Sequence, residues 1–232
     1  MKERRFREPL LDKLDRKFGR YALRNLMLII VIGTAVVFGL EYIVTMRAGQ
    51  SIIQWLYFDK RAILNGEVWR VVTFLFVPDT FQILYLALGL YIDWLIGSTL
   101  ENEWGALRFD LFYLCGVLGA IVAGFIGGYV SNAYLNSSLF FAFAILNPDF
   151  KLLLFFFIPI KVKYIAIFEA VCYVLLFIVV GWVERLALVM SLVNILIFFG
   201  ATLIRRLKAY IRRKKFQREA RRPNDNDYPF DL

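Results

Sequence analysis

The chain has 232 residues, 60% hydrophobic and 20% charged, with a formal net charge of +9 and no histidine. That composition is too apolar for one soluble domain, and without imidazole no reaction can use histidine as general base or metal ligand. The charge sits at the two ends, with nine Lys and Arg between Met1 and Asn25 and ten between Arg205 and Arg222. Basic ends beside apolar segments set topology or touch anionic lipid, which argues against a nucleic-acid partner.

Within residues 1–25, Leu10, Leu11, Leu14, Phe18 and Tyr21 recur at helical spacing, with Lys13, Arg16, Lys17 and Arg20 between them. The pattern predicts a basic amphipathic helix in the headgroup layer. No small-residue cleavage site closes the apolar stretch that follows, so a cleavable signal is not expected. The spans are predicted over residues 26–45, 80–100, 107–129, 132–146, 164–182 and 186–204. These runs are continuous rather than alternating, which favours helices over a barrel. Pro78-Asp79 interrupts an apolar stretch and delays the second span to Thr80. Glu41 lies near the far end of the first span, within reach of the interface. Residues 46–70 hold Trp55, Tyr57, Phe58 and Trp69 among charges, as an interfacial belt does. Glycines 116, 119, 124, 127 and 128 allow close helix approach along the third span. The fourth span is short and ends at Asn147-Pro148-Asp149. Leu152–Ile158 is too brief to cross and reads as a strand-like or partly inserted segment at the membrane face.

Six spans place both termini on one side, which would hold 23 basic residues against five on the other, and this predicts cytoplasmic ends. The expected organisation is a basic segment over 1–25, an all-α polytopic membrane domain of six helices over 26–204, and a basic, then polar and acidic, tail over 205–232. The expected location is the plasma membrane of a prokaryote. Cys115 and Cys172 fall inside apolar runs and read as small buried hydrophobes. No cofactor and no metal site is expected.

Several short motifs share an order with a known family. Gly66-Glu67-Val68-Trp69-Arg70-Val71-Val72-Thr73-Phe74 resembles the Trp-Arg loop of the rhomboid superfamily, which includes the derlins. Gly97-Ser98-Thr99-Leu100-Glu101, Trp104-Gly105 and Arg108-Phe109 are similar to that family's close of the second span. Phe112-Tyr113-Leu114 with Gly116 resembles its third span, and Asn147-Pro148 with residues 155–161 resembles its cytosolic turn. The resemblance covers residues 25–205. It implies a six-span bundle and, in active members, a serine on the fourth span paired with a histidine on the sixth. Here Ser137 falls at or near the nucleophile position without its flanking glycines, and Val193 or Asn194 falls at the histidine position. Tyr85 and Gly89 replace the oxyanion-assisting pair of the second span.

The resemblance thus implies a pseudoprotease, not an enzyme, that binds transmembrane segments of client proteins in the lipid bilayer without cutting them. Asn136, Ser137, Ser138 and Asn194 are expected to cluster between the fourth and sixth spans, as helix-to-helix contacts or as a client cavity. Glu169 on the fifth span reads as a client, lipid or proton site, or as a neutral or snorkelling side chain. Trp69, Arg70, Glu101 and Arg108 read as structural anchors. The alternatives are an intramembrane serine protease and, last, a small-molecule carrier, for which no repeat of the first three spans is found in the last three.

Overall fold

The computed structural model of the chain describes residues 19, 22–154, 158–182, 185–186, 188–200 and 212. The predicted amphipathic segment lies outside them apart from Gly19 and residues 22–25, and the basic tail lies outside them apart from Arg212. Residues 1–195 and 196–232 form two compact units. Everything described below belongs to the first; of the second, residues 196–200 are helical.

Helix α1 covers Leu26–Ala48. Three short helices, Ile53–Trp55, α2 (Lys60–Leu64) and α3 (Arg70–Thr73), fill the loop after it, and a 3-10 turn over Phe74–Phe76 follows. Then come α4 (Ile83–Trp104), α5 (Ala106–Gly127), α6 (Ala133–Leu146) and α7 (Val162–Val179). A last helix, α8, covers Leu188–Gly200. Two small antiparallel pairs complete the fold: β1 (Phe58–Asp59) with β2 (Tyr129–Val130), and β3 (Lys151–Leu154) with β4 (Ile158–Lys161).

Helices α1, α4, α5 and α7 are long and apolar enough to cross a bilayer, and the protein is helical and membrane-embedded. Their outward faces carry exposed Leu, Ile, Val and Phe side chains, for which lipid is the matching solvent. The expected fourth and sixth spans correspond to shorter helices. The 14 residues of α6 rise about 21 Å at about 1.5 Å each, against about 30 Å of hydrocarbon. Of the predicted sixth span, residues 187 and 201–204 lie outside the described residues. The other boundaries differ by a few residues, as α1 runs on to Ala48 and α4 begins at Ile83, after the Pro78-Asp79 break.

Helix α6 is the centre of the bundle. Leu135, Ser138, Leu139, Ala142 and Phe143 repeat at three- and four-residue spacing and are all buried. It packs on α4, α5 and α7. The α4–α5 corner turns at Gly105, whose φ of 91° suits a residue without a Cβ.

The loop after α1 is built rather than irregular. Arg70 is 6% exposed. Its Nη1 donates to the carbonyls of Gln54 and Tyr57 at 2.6 and 3.1 Å, and its Nε to Glu67 at 2.6 Å. Glu41 accepts the backbone N–H groups of Ile52 and Ile53 and the hydroxyl of Thr45, so it anchors the loop start instead of reaching for water. Phe58 is fully buried, edge-on to Phe74 and Phe125. A Cβ on Gly124 would lie 2.5 Å from the Phe58 ring, so glycine there lets the loop seat on α5. The Trp69 indole donates to the Trp55 carbonyl. Glu101 accepts the backbone N–H of Asn25 at 2.8 Å, which ties the entry to α1 to the end of α4. Arg108 lies half-buried in the first turn of α5.

Residues 151–154 and 158–161 pair as antiparallel strands, in keeping with the strand-like segment predicted there; Phe155, Phe156 and Phe157 lie outside the described residues.

Candidate functional site

The polar residues of α6 do not form one cluster. Successive helical residues point about 100° apart, so Asn136, Ser137 and Ser138 face three neighbours. Ser138 faces inward and is 1% exposed. Its hydroxyl accepts from the Asn194 amide nitrogen at 3.2 Å, and the same nitrogen reaches the Phe112 carbonyl at 3.3 Å. Asn194 is itself 3% exposed, and its Oδ1 is buried without a partner. Val193, the alternative at that position, points outward at 40% exposure. One turn earlier, the Ser191 hydroxyl donates to the Tyr134 carbonyl at 2.9 Å.

Gly116 lets α5 pass close to this pair, since a Cβ there would collide with Leu135 and press on the Asn194 amide. The space beside Ser138 and Asn194 is about 10 Å³, at the lower limit for one water. A substrate backbone has no room. An amide is not a base near neutral pH, so the pair can exchange a hydrogen bond but cannot activate a hydroxyl.

Ser137 turns instead towards α7, on the side of Glu169. Tyr173, one turn further along α7, packs edge-on to Phe141 and Tyr134. Glu169 therefore lies against α6 near the middle of the short helix. Glu169 is half-buried seven residues past the start of α7.

Asn136 faces the third direction, towards α4 and the Pro78–Thr80 turn. Its amide donates to Asp79 Oδ2 at 3.4 Å. A cavity of about 60 Å³ opens here between α1, α4 and the start of α6. Asn132 shapes the wall by donating to the Leu75 and Val77 carbonyls at 3.3 and 3.0 Å, which holds the turn at Pro78. Tyr85, Gly89, Asp79 and Asp93 complete the polar lining. Asp79 is exposed at the cavity mouth, yet the protein around it desolvates its carboxyl in part and raises the pKa above its ordinary value, which the Asn136 bond opposes.

Asp93 is the residue that sequence reasoning passed over. It is the eleventh of 22 residues in α4, close to mid-span, where a carboxyl is costly. The signal was present in Tyr91-Ile92-Asp93-Trp94 as an acid in an apolar run.

Among the described residues, no three His, Cys, Asp or Glu side chains converge as a metal site. Cys115 is exposed on the outside of α5 and Cys172 half-exposed on α7, so neither is the buried hydrophobe expected of it. No protein family's model matches the chain, and no curated protein matches it.

Proposed function

We propose that this is a rhomboid-like pseudoprotease that holds transmembrane segments of other proteins without cleaving them. One observation carries the reading. A serine on a short central helix faces an asparagine on α8 at 3.2 Å, the arrangement a serine–histidine pair would have, with an amide where a base is required. Together with the absence of histidine, this favours a retained scaffold over a working protease. The active-protease alternative would need Ser138 to be reachable and activated, and it is neither.

In this reading α6 and α8 are the fourth and sixth spans, both termini are cytoplasmic, and the protein sits in a prokaryotic plasma membrane. The basic residues of the two ends support that orientation. The client contact is the cavity of Asp79, Asp93, Tyr85 and Asn136, rather than the sealed Ser138–Asn194 pair. Its volume suits the polar tip of one client side chain, and the exposed first turns of α4 leave room for a helix alongside.

The test places a photo-crosslinking residue at Tyr85 and, separately, at Ser137 in native membranes. Recurrent capture of other proteins' transmembrane segments from Tyr85 supports the proposal. Capture of lipid alone from both positions rejects it. Loss of a measurable cleavage activity on Ser138→Ala or Ser137→Ala would restore the protease.

A further inference from the structure

The β3–β4 hairpin carries a charge arrangement that water alone does not explain. Lys151 pairs directly with Lys161 across the strands, and like charges directly opposite one another destabilise a hairpin. Lys163 follows two residues later. Asp149 is the one carboxylate in 149–163 and bonds both Lys161 and Lys163, at 3.1 and 3.4 Å, which leaves three positive charges against one negative. Lys151 has no ion pair among the described residues and is exposed.

The two faces of the hairpin differ. Leu152 is buried at 8% exposure, and its cross-strand partner is Ile160. On the other face Leu153 is 58% exposed beside exposed Pro159. That face therefore runs from paired lysines at the root to apolar side chains nearer the turn, and Phe155-Phe156-Phe157 continue the apolar sequence. The root lies beside the start of α7, where Lys163 stacks over the exposed Tyr164 ring at 5.3 Å, as aromatics do at headgroup level. Strands rising about 3.3 Å per residue would carry Leu153 about 7 Å from that level if the hairpin stood upright in water. Lying along the bilayer, the hairpin would place the lysines among phosphates and the leucine among acyl chains.

We propose that this hairpin is a lipid-surface site, in which Lys151, Lys161 and Lys163 hold anionic headgroups while the Leu153–Pro159 face sits in the acyl boundary. The inference is independent of client binding. Each lysine near an anionic surface contributes about fivefold to the preference for charged lipid.

The test uses the full chain in nanodiscs of mixed phosphatidylcholine and phosphatidylglycerol. Cys115 and Cys172 are replaced by alanine, and an NBD fluorophore is attached at Leu153→Cys. A spin-label quencher is carried on one lipid or the other. The expected result is blue-shifted emission, quenched several-fold more by labelled phosphatidylglycerol than by labelled phosphatidylcholine. The triple variant Lys151→Gln, Lys161→Gln, Lys163→Gln brings that ratio close to one and keeps quenching by phosphatidylcholine, which also shows that the hairpin is still formed. Water-like emission overturns the proposal. So does blue-shifted emission that no lipid quenches, since protein would then cover the face. A phosphatidylglycerol preference that survives the triple variant removes the lysines from it.

Discussion

The Ser138–Asn194 contact makes a sharp quantitative prediction. Its two hydrogen bonds, at 3.2 and 3.3 Å, are at the long end of the range. Interhelical bonds inside membrane proteins contribute about 0.6 kcal/mol each, with about 1.7 as a ceiling. Asn194→Leu thus loses about 1.2 kcal/mol of bonding. It also removes an Oδ1 that is buried without a partner, a group that costs about 1–3 kcal/mol. The net change should run from about zero to about 2 kcal/mol stabilising. Ser138→Ala should destabilise by about 0.6 kcal/mol, and the double-mutant coupling should be near that same value. Unfolding in mixed micelles by SDS titration, followed by helical circular dichroism, measures all four corners of the cycle. A coupling above about 2 kcal/mol would refute the argument, because it would require an ionised or strongly polarised pair of the kind catalysis uses. A loss of several kcal/mol in Asn194→Leu would refute it as well.

Other expectations concern the loop and the cavity. Arg70→Met should leave the Gln54 and Tyr57 carbonyls and Glu67 without their donor and cost about 3 kcal/mol, read as faster proteolysis of residues 50–70. Arg70→Lys should recover only part of this, since one ammonium cannot reproduce the planar fork. Gly124→Ala should force the buried Phe58 ring aside at a cost of about 1–3 kcal/mol and lower the thermal midpoint, and Phe58→Leu in the same chain should return part of it. The raised pKa of Asp79 gives a pH signature. Between its ordinary value of 3.8 and its higher folded value, the unfolded chain has already released a proton that the folded chain retains. Stability should therefore fall as pH rises through that window, and Asp79→Asn should remove the slope.

Hydropathy located the four span-length helices α1, α4, α5 and α7, because apolar length is what a bilayer selects. Backbone chemistry located the break at Pro78 and the turn at Asn147-Pro148. The short helices between α1 and α4 were not legible, since five-residue segments such as α2 have no periodicity and depend on distant groups such as Arg70 and Glu41. The site was legible in its residues but not in its grouping. Adjacent Asn136, Ser137 and Ser138 look like one cluster on paper, and helical rotation assigns them to three different neighbours. Asp93 was masked by the aromatic and aliphatic residues around it, which made the run look uniform.

Helix α7 has the least buried span of the four, with only 6% of its membrane-crossing window covered. Lipid tails are as apolar as leucine, so such a helix has little reason to prefer protein over bilayer apart from its contacts at Ser137, Phe141 and Tyr134. The chain connection also keeps it in place. The β3–β4 connection binds the end of α6 to the start of α7, and a short tether of this kind sustains an effective concentration of about millimolar or more. A helix held that way can be the last to dock during biogenesis and the first to exchange its neighbours afterwards, with no unfolding elsewhere in the bundle.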